Sequence, residues 1–382
     1  VSASASYSYG GAIYNDRTIG DITGDFIGNY ASSSFFTYSA DSYGGAIYND
    51  RTIGNITGDF IGNYVSSSYT RFCSDTSAFS YGGAIYNNYG TIGDISGDFI
   101  GNYASASSSS RAFSYGGAIY NNSNGTIGNI TGDFIGNYAS VSSENGEAKG
   151  GAIYNYSSGT ITIAGASTFT DNYVEVNGKK TSNAIHNSGG YSGDAIINFN
   201  SGNIVINDGI TGENYKDYKD VDKIHKSIFN FAGQQTATSD NDVITLNNSL
   251  TNSDKTNGNI EVNLTKGTLK LGHYDSALLN KNFIGKFEDG VDFNVSGDST
   301  LSLADDDIHS VHLGNMTLNS DLKFGMDVDL ANNSTDTFTT DALNDNSHKI
   351  ILNHVNLTTE NGRHISEFNI DNMSGLLKLD ED

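Results

Sequence analysis

The chain is predicted to be all-β, a β-solenoid of stacked parallel coils. Three features carry this. The hexapeptide Gly-Gly-Ala-Ile-Tyr-Asn begins, unchanged, at Gly10, Gly44, Gly82, Gly116 and Gly150. A second block, Phe-Ile-Gly-Asn-Tyr, follows the first four copies at Phe26, Phe60, Phe99 and Phe134, with a worn Phe-Thr-Asp-Asn-Tyr from Phe169. The 382 residues include no proline, where an average usage of about 5% leads one to expect roughly nineteen; proline cannot donate to a strand ladder and is excluded from sheet interiors.

Successive hexapeptides lie 34, 38, 34 and 34 residues apart, a period that marks a stacked array. The hexapeptide is too short and too rich in glycine for a helix. The following segment, residues 18–30 in the first repeat, is thirteen residues long in each of the first four copies. Its β-branched and aromatic residues between Gly, Asp and Asn read as short strands joined by bends. Length variation is confined to the residues just after the hexapeptide and to a Ser/Tyr/Ala stretch of 13, 17, 12 and 11 residues before the next Gly-Gly. Loops tolerate insertions and packed elements do not, so the Ser/Tyr/Ala stretches are predicted to be outer loops.

Identical residues in successive coils stack about 4.8 Å apart. Ile13, Ile47, Ile85, Ile119 and Ile153 are therefore expected to form an aliphatic ladder inside the solenoid. Phe26, Phe60, Phe99, Phe134 and Phe169 are expected to form an aromatic ladder. Asn29, Asn63, Asn102, Asn137 and Asn172 are expected to form an amide ladder at a turn, where Asn also tolerates a left-handed backbone. The column Asp25, Asp59, Asp98 and Asp133 brings like charges to about 5 Å; either the side chains fan into solvent or cations bridge them. Calcium would suit such oxygens, and no motif calls for any other cofactor. In Asp21, Asn55, Asp94 and Asn129 charged and neutral residues alternate.

Composition changes near residue 182. Nineteen of the 23 tyrosines precede it, and the net charge of -24 divides into -7 before it and -17 after. Residues 182–187, Ser-Asn-Ala-Ile-His-Asn, are a decayed sixth hexapeptide. A soft boundary is placed at 195, giving a regular repeat region (1–195) and a less regular continuation or stem (196–382). The later half keeps short alternating segments, among them residues 194–199, 243–246, 260–264 and 268–272, separated by Asn/Gly/Asp turns. Helix is entertained only at 217–229, where charges recur periodically.

The acidic balance argues against nucleic acid and anionic membrane as partners, since both need a basic face. No run of eighteen apolar residues exists, so insertion of this chain into a bilayer as a helix is not expected. One cysteine, Cys73, rules out an intrachain disulfide, and with no histidine near it in sequence it is a poor nucleophile candidate. The chain begins at Val1 inside a repeat and reads as a fragment or processed product.

The alternation of residues 10–13 (Gly-Gly-Ala-Ile) with 26–29 (Phe-Ile-Gly-Asn), five times in register, resembles the repeats of the polymorphic outer membrane protein family over roughly residues 1–187. The resemblance implies a right-handed single-stranded parallel β-helix. It also implies export as an autotransporter passenger to the surface of a Gram-negative bacterium, outer-membrane-attached or extracellular, with an adhesive role toward a host or neighbouring-cell protein or glycan. Residues 322–331 and 353–357 resemble the stem before an autotransporter barrel. The terminal Leu-Leu-Lys-Leu-Asp-Glu-Asp is not a barrel strand, so the barrel is expected outside this sequence or absent.

A catalytic site needs a local, unrepeated cluster of acids or bases, whereas in the repeats every acid recurs; no catalytic, cofactor or metal residue is assigned. The cluster at 305–312, Asp-Asp-Asp-Ile-His-Ser-Val-His, reads as a polar turn or a metal site, with His309 and His312 spaced better for a helix than for a strand. Tyr38, Tyr43, Tyr69, Phe72 and Phe79 lie in the two longest Ser/Tyr stretches. They are the candidate contact residues, because Tyr with Ser is an adaptable contact chemistry; the alternative is that these stretches only cover the coil. The function favoured is a non-enzymatic surface passenger, adhesin or stalk. A polysaccharide-acting β-helix enzyme and a pure spacer are the alternatives.

Overall fold

The computed structural model describes residues 5–35, 39–69, 77–200, 203–220, 222–232, 243–288, 290–329, 332 and 334–358. The described chain is a parallel β-helix with strands on three faces of each coil. One face is the hexapeptide strand, Ile47–Asn49 in the second coil. The next is the pair Thr52–Ile53 and Ile56–Thr57, and the third is Phe60–Ile61. Across the first four coils every partner on these faces is parallel and in register, so that Ile56 pairs with Ile22 below and Ile95 above. A bulge first shifts the register between Ile127 and Asn129, and near the end Val328–Asp329 pairs antiparallel with Ser334–Thr335.

The predicted ladders are present. Ile13, Ile47, Ile85, Ile119 and Ile153 pair in sequence, and the column continues through Ile185, Ile210 and Leu250 to Phe287. Phe26, Phe60, Phe99, Phe134 and Phe169 stack with centroids 4.6–4.8 Å apart and ring planes within 5°. Stacked pairs of this kind contribute roughly 0.5–1.5 kcal/mol beyond burial.

In the amide ladder, each Asn donates its side-chain Nδ2 and its backbone N–H to the Oδ1 of the next, both at 3.0 Å for Asn63 onto Asn102. The second Nδ2 hydrogen goes to a carbonyl of the coil below, Phe26 in the case of Asn63. The last rung, Asn172, meets the buried carboxylate of Asp208 instead, at 2.9 and 2.8 Å. The left-handed residue of this turn is the preceding glycine, Gly62 at φ 60° and Gly101 at φ 61°, and not Asn; in the worn copy Asp171 takes over at φ 59°.

The Asp columns are occupied differently from either expectation. Asp25 Oδ1 accepts the backbone N–H of Asp59, Asp59 that of Asp98, and Asp98 that of Asp133. Asp21, Asn55 and Asp94 do the same for Asn55, Asp94 and Asn129. Each carboxylate thus caps a turn in the next coil, and these hydrogen bonds offset the repulsion along the column.

The glycine pair has two separate jobs. Gly44 has φ 61°, and a Cβ there would lie 2.1 Å from the Ile47 carbonyl oxygen; a Cβ on Gly45 would lie 2.0 Å from the Gly83 oxygen one coil up. The first position needs the left-handed backbone and the second needs an empty side.

Two readings are corrected. The Ser/Tyr/Ala stretches are, over their described residues, not loops. They are strands, Tyr30–Phe35 and Ser39–Tyr43 in the first repeat, which stack with their equivalents into two parallel sheets standing off the helix as a fin. Small residues face inward, among them Ala31, Val65, Ala78, Ala104, Ala112 and Ala139. Serines bridge the two sheets, as Ser67 Oγ to the Phe79 carbonyl at 2.6 Å and Ser114 Oγ to the Ala104 carbonyl at 2.7 Å. The described residues of 217–229 are not helical; Tyr215–Lys216 and Ile224–His225 pair antiparallel, and Ser227–Ala232 is a coil strand. Charge spacing there reflects a solvated hairpin.

The boundary placed at 195 falls inside a continuous solenoid. Ala195–Asn200 pairs with Thr160–Ala164 on one side and Ser227–Ala232 on the other, and a further ladder, Asn198, Asn230, Asn263 and Asn294, runs up the later half.

Two outcomes test this packing. Gly101→Ala places a side chain in open space at φ 61° and should cost only the left-handed penalty of about 1–2 kcal/mol. Gly83→Ala, with its Cβ 1.9 Å from the Gly117 oxygen, should cost about 3 kcal/mol or more in urea unfolding. Burial pushes the Asp208 carboxyl up to about 6, against the hydrogen bonds from Asn172 and Ser182. A raised folded-state pKa means that the charged form costs stability above it, so stability should fall as pH rises from about 4 to 6. Asp208→Asn should raise stability at pH 8 by about 1–3 kcal/mol and flatten that pH dependence; an unchanged pH profile would contradict the assignment.

Candidate functional site

In the hexapeptide strand, alternation turns Ile inward, so the following Tyr faces out. Tyr48, Tyr86, Tyr120 and Tyr154 are nonetheless buried, because the fin leans against them. Its inner strands end in Tyr43, Tyr81 and Tyr115, which are half-buried over the hexapeptide tyrosines. The two sets interdigitate: Tyr43 meets Tyr86 at 5.1 Å edge-on, Tyr81 meets Tyr120 at 5.0 Å, and Tyr115 stacks on Tyr154 at 4.7 Å. Phe79 and Phe113 stack alongside at 5.1 Å. The result is an aromatic groove along the angle between fin and body.

The phenols are anchored by a side column of asparagines. Asn88 donates to the Tyr48 hydroxyl at 3.3 Å and Asn122 to that of Tyr86 at 3.0 Å. Burial pushes the Tyr86, Tyr120 and Tyr154 phenols well above their usual range, so they are neutral donors and acceptors at any physiological pH. On the far side of the fin a second column, Tyr30, Tyr64, Tyr103, Tyr138 and Tyr173, stacks at 4.9–5.2 Å. Tyr30 is exposed and the other four are half-buried. Lys180 sits over the last ring at 4.2 Å.

The groove ends where the repeats decay, and each of its columns ends in a titratable residue. Phe113 is followed by Glu147, Tyr115 by Lys149, and Tyr154 by His186. Lys149 and His186 converge on Glu213, and Glu147 joins them through Lys149. Lys149 Nζ lies 2.6 Å from Glu147 and 2.9 Å from Glu213. His186 stacks on Tyr154 at 5.0 Å, bonds Thr211 Oγ1 through Nδ1 at 2.8 Å, and holds Nε2 3.5 Å from Glu213. Burial drives His186 below its ordinary pKa, toward the neutral form. Burial also opposes the charge on Glu213, but the facing His186 ring and the Lys149 ammonium outweigh it and hold the carboxyl well below the usual range; since His186 is itself driven toward neutral, Lys149 is the cation that carries this. These residues line a cleft of about 670 Å³ together with Thr181, Ser182, Asn183 and Ser253.

Of the candidate contact residues, Tyr43 and Phe79 line the groove. Tyr69 is buried at 3% exposure inside the fin, which corrects its assignment as a contact; it closes the small-residue core between the two sheets. Tyr38 and Phe72, like Cys73, lie outside the described residues. His309 and His312 do not converge: His309 turns to Asp305, whereas His312 bonds Thr339 and faces Asp341. The cleft was missed because Lys149, His186 and Glu213 are far apart in sequence; the replacement of Tyr by His in the sixth hexapeptide was the available signal.

Glu213→Gln should lower stability at pH 7 by about 1–3 kcal/mol, the fully buried cost discounted for partial exposure. Because the folded-state pKa of Glu213 is depressed, that contribution is present above the ordinary glutamate pKa and lost as pH falls below it. Thermal melts of wild type and variant should therefore converge in acid; a constant gap down to pH 3 would contradict the ion cluster. Comparison of the chain with protein-family models, with curated proteins and with solved structures found no match.

Proposed function

We propose that this chain is a rigid, surface-displayed β-helix, the passenger of an autotransporter-type export system, that acts as an adhesin or contact stalk. The observation that carries the reading is repetition. The solvent-facing Tyr and Ser of the fin recur at one position per coil, which presents one weak contact chemistry several times along a stiff axis. Multivalent display of this kind multiplies modest affinities. Tyrosine and serine supply contact area and adaptable hydrogen bonds at low entropic cost. The partner class is a host or neighbouring-cell protein or glycan.

A second reading, action on a polysaccharide, is favoured by one feature alone: the cleft around Glu213, His186 and Lys149 is unrepeated, as a reaction centre would be. Against it, Glu213 is already engaged by Lys149, Ser188 and Ser253.

Binding of the purified chain to arrays of glycans and extracellular-matrix proteins tests the first reading. A ligand should be retained, and Tyr64→Ser with Tyr103→Ser should weaken it at least tenfold while the circular dichroism stays that of the wild type. No ligand on any array, with no fin-specific antibody staining of intact cells, would leave a spacer. Turnover of a polyuronide that Glu213→Gln abolishes would favour the second reading.

A further inference from the structure

Three acids and a histidine at 305–309 form a corner between the strands Ser299–Ser302 and Ser310–His312. The coil below contributes His273. Lys270 pairs with Ser302, and the same register carried three residues onward sets His273 beneath Asp305. The two are in contact, His273 Nδ1 lying 3.0 Å from Asp305 Oδ2. His309 Nε2 reaches the same carboxylate at 3.2 Å. One carboxylate thus holds two imidazoles by one ring nitrogen each, with ring centroids 6.3 Å apart. Among the described residues, the opposite nitrogen of each ring makes no hydrogen bond of its own, His273 and His309 each meeting Asp305 through one nitrogen.

Asp307 completes the group. Its backbone N–H bonds Asp305 Oδ1 at 3.2 Å, in a turn that holds the residue beside the histidines. His273, Asp307 and His309 each bring a ligand atom within 4.8 Å of the others. A tetrahedral ion with bonds of about 2.0–2.2 Å would need these atoms at about 3.4 Å, a closure within reach because His273 and Asp307 are exposed. Behind the group the scaffold is buried. Asp327 accepts the backbone N–H of Asp305 and Asp306, and Asp336 accepts those of His309 and Asp327. Among the described residues, none of Asp305, Asp306, Asp307, Asp327 or Asp336 pairs with a lysine or arginine.

We propose that His273, His309 and Asp307 bind one divalent transition-metal ion, with zinc the ion their donors suit and Asp305 the carboxylate that orients both imidazoles. Two imidazoles and one carboxylate form a borderline donor set that favours such an ion over calcium, which takes six to eight oxygens. A carboxylate behind a ligating histidine fixes its tautomer and raises its basicity. The fourth position faces solvent. The ion would clasp two successive coils in the part of the solenoid where the aromatic ladders no longer run.

The test uses the described chain freed of metal with a chelator and then titrated with Co²⁺, followed by displacement with Zn²⁺. The expected result is one Co²⁺ per chain with visible ligand-field absorption that zinc abolishes, and a melting temperature raised by zinc. His273→Gln, at an exposed position, should weaken binding at least tenfold; adding Asp307→Asn should abolish it; His312→Gln should leave it unchanged. Absence of stoichiometric uptake would overturn the proposal. So would uptake retained by the double variant, or displacement by calcium as effectively as by zinc, since either marks simple counter-ion attraction to an acidic chain.

Discussion

In-register parallel stacking is the constraint on which the rest of this structure depends. Coils about 4.8 Å apart place each side chain directly on its copy in the next coil, so a residue type is admissible only if it tolerates its own image. Isoleucine and phenylalanine do so by packing. Asparagine does so because an amide carries both a donor and an acceptor, and two separate columns use it: Asn29 to Asn172, and the hexapeptide asparagines Asn15 to Asn187 with Nδ2 to Oδ1 contacts of 2.7–2.9 Å. Aspartate tolerates its image only where its carboxylate is turned to the backbone N–H of the next coil. The identity of the repeats is thus a packing requirement, and unpaired polar groups in a buried column would cost about 1–3 kcal/mol each.

A column must also end. In the middle of the chain the ends coincide: the amide ladder closes on Asp208, the hexapeptide amides on Ser227, the groove on Glu147, Lys149 and His186, and the outer tyrosines under Lys180. Charge enters the solenoid where self-complementary stacking stops, which is why a cluster of buried ionisable groups arises between residues 147 and 213. Beyond it the body continues on aliphatic columns and the half-buried Asn198 ladder, with a larger share of the negative charge outside.

The body was legible in the sequence because its signal is repetition of large, unambiguous residues: Ile47, Phe60 and Asn63 declare their columns directly. The hexapeptide asparagine is equally regular in the sequence, and its ladder stacks in the same way. The fin was misread because alanine and serine carry little hydrophobic contrast and its strands vary in length at their tips, so a period of two looked like loop. Tyr69 followed that error. Contacts between coils were invisible wherever the partners are not repeats of one another: Lys149 with Glu213, and His273 with Asp305, meet only because the register carries them together.

The central claim, in-register stacking one coil apart, is tested most directly by spin labels on the exposed Thr/Ser column of the second face. In a Cys73→Ser background, nitroxides at Thr23→Cys and Thr57→Cys, which pair directly, should show the strong dipolar broadening of labels one strand spacing apart, about 5 Å between backbones. Labels at Thr23→Cys and Ser96→Cys, two coils apart, should show clearly weaker broadening. Equal broadening in both pairs, or none in the first, would contradict the stacked solenoid.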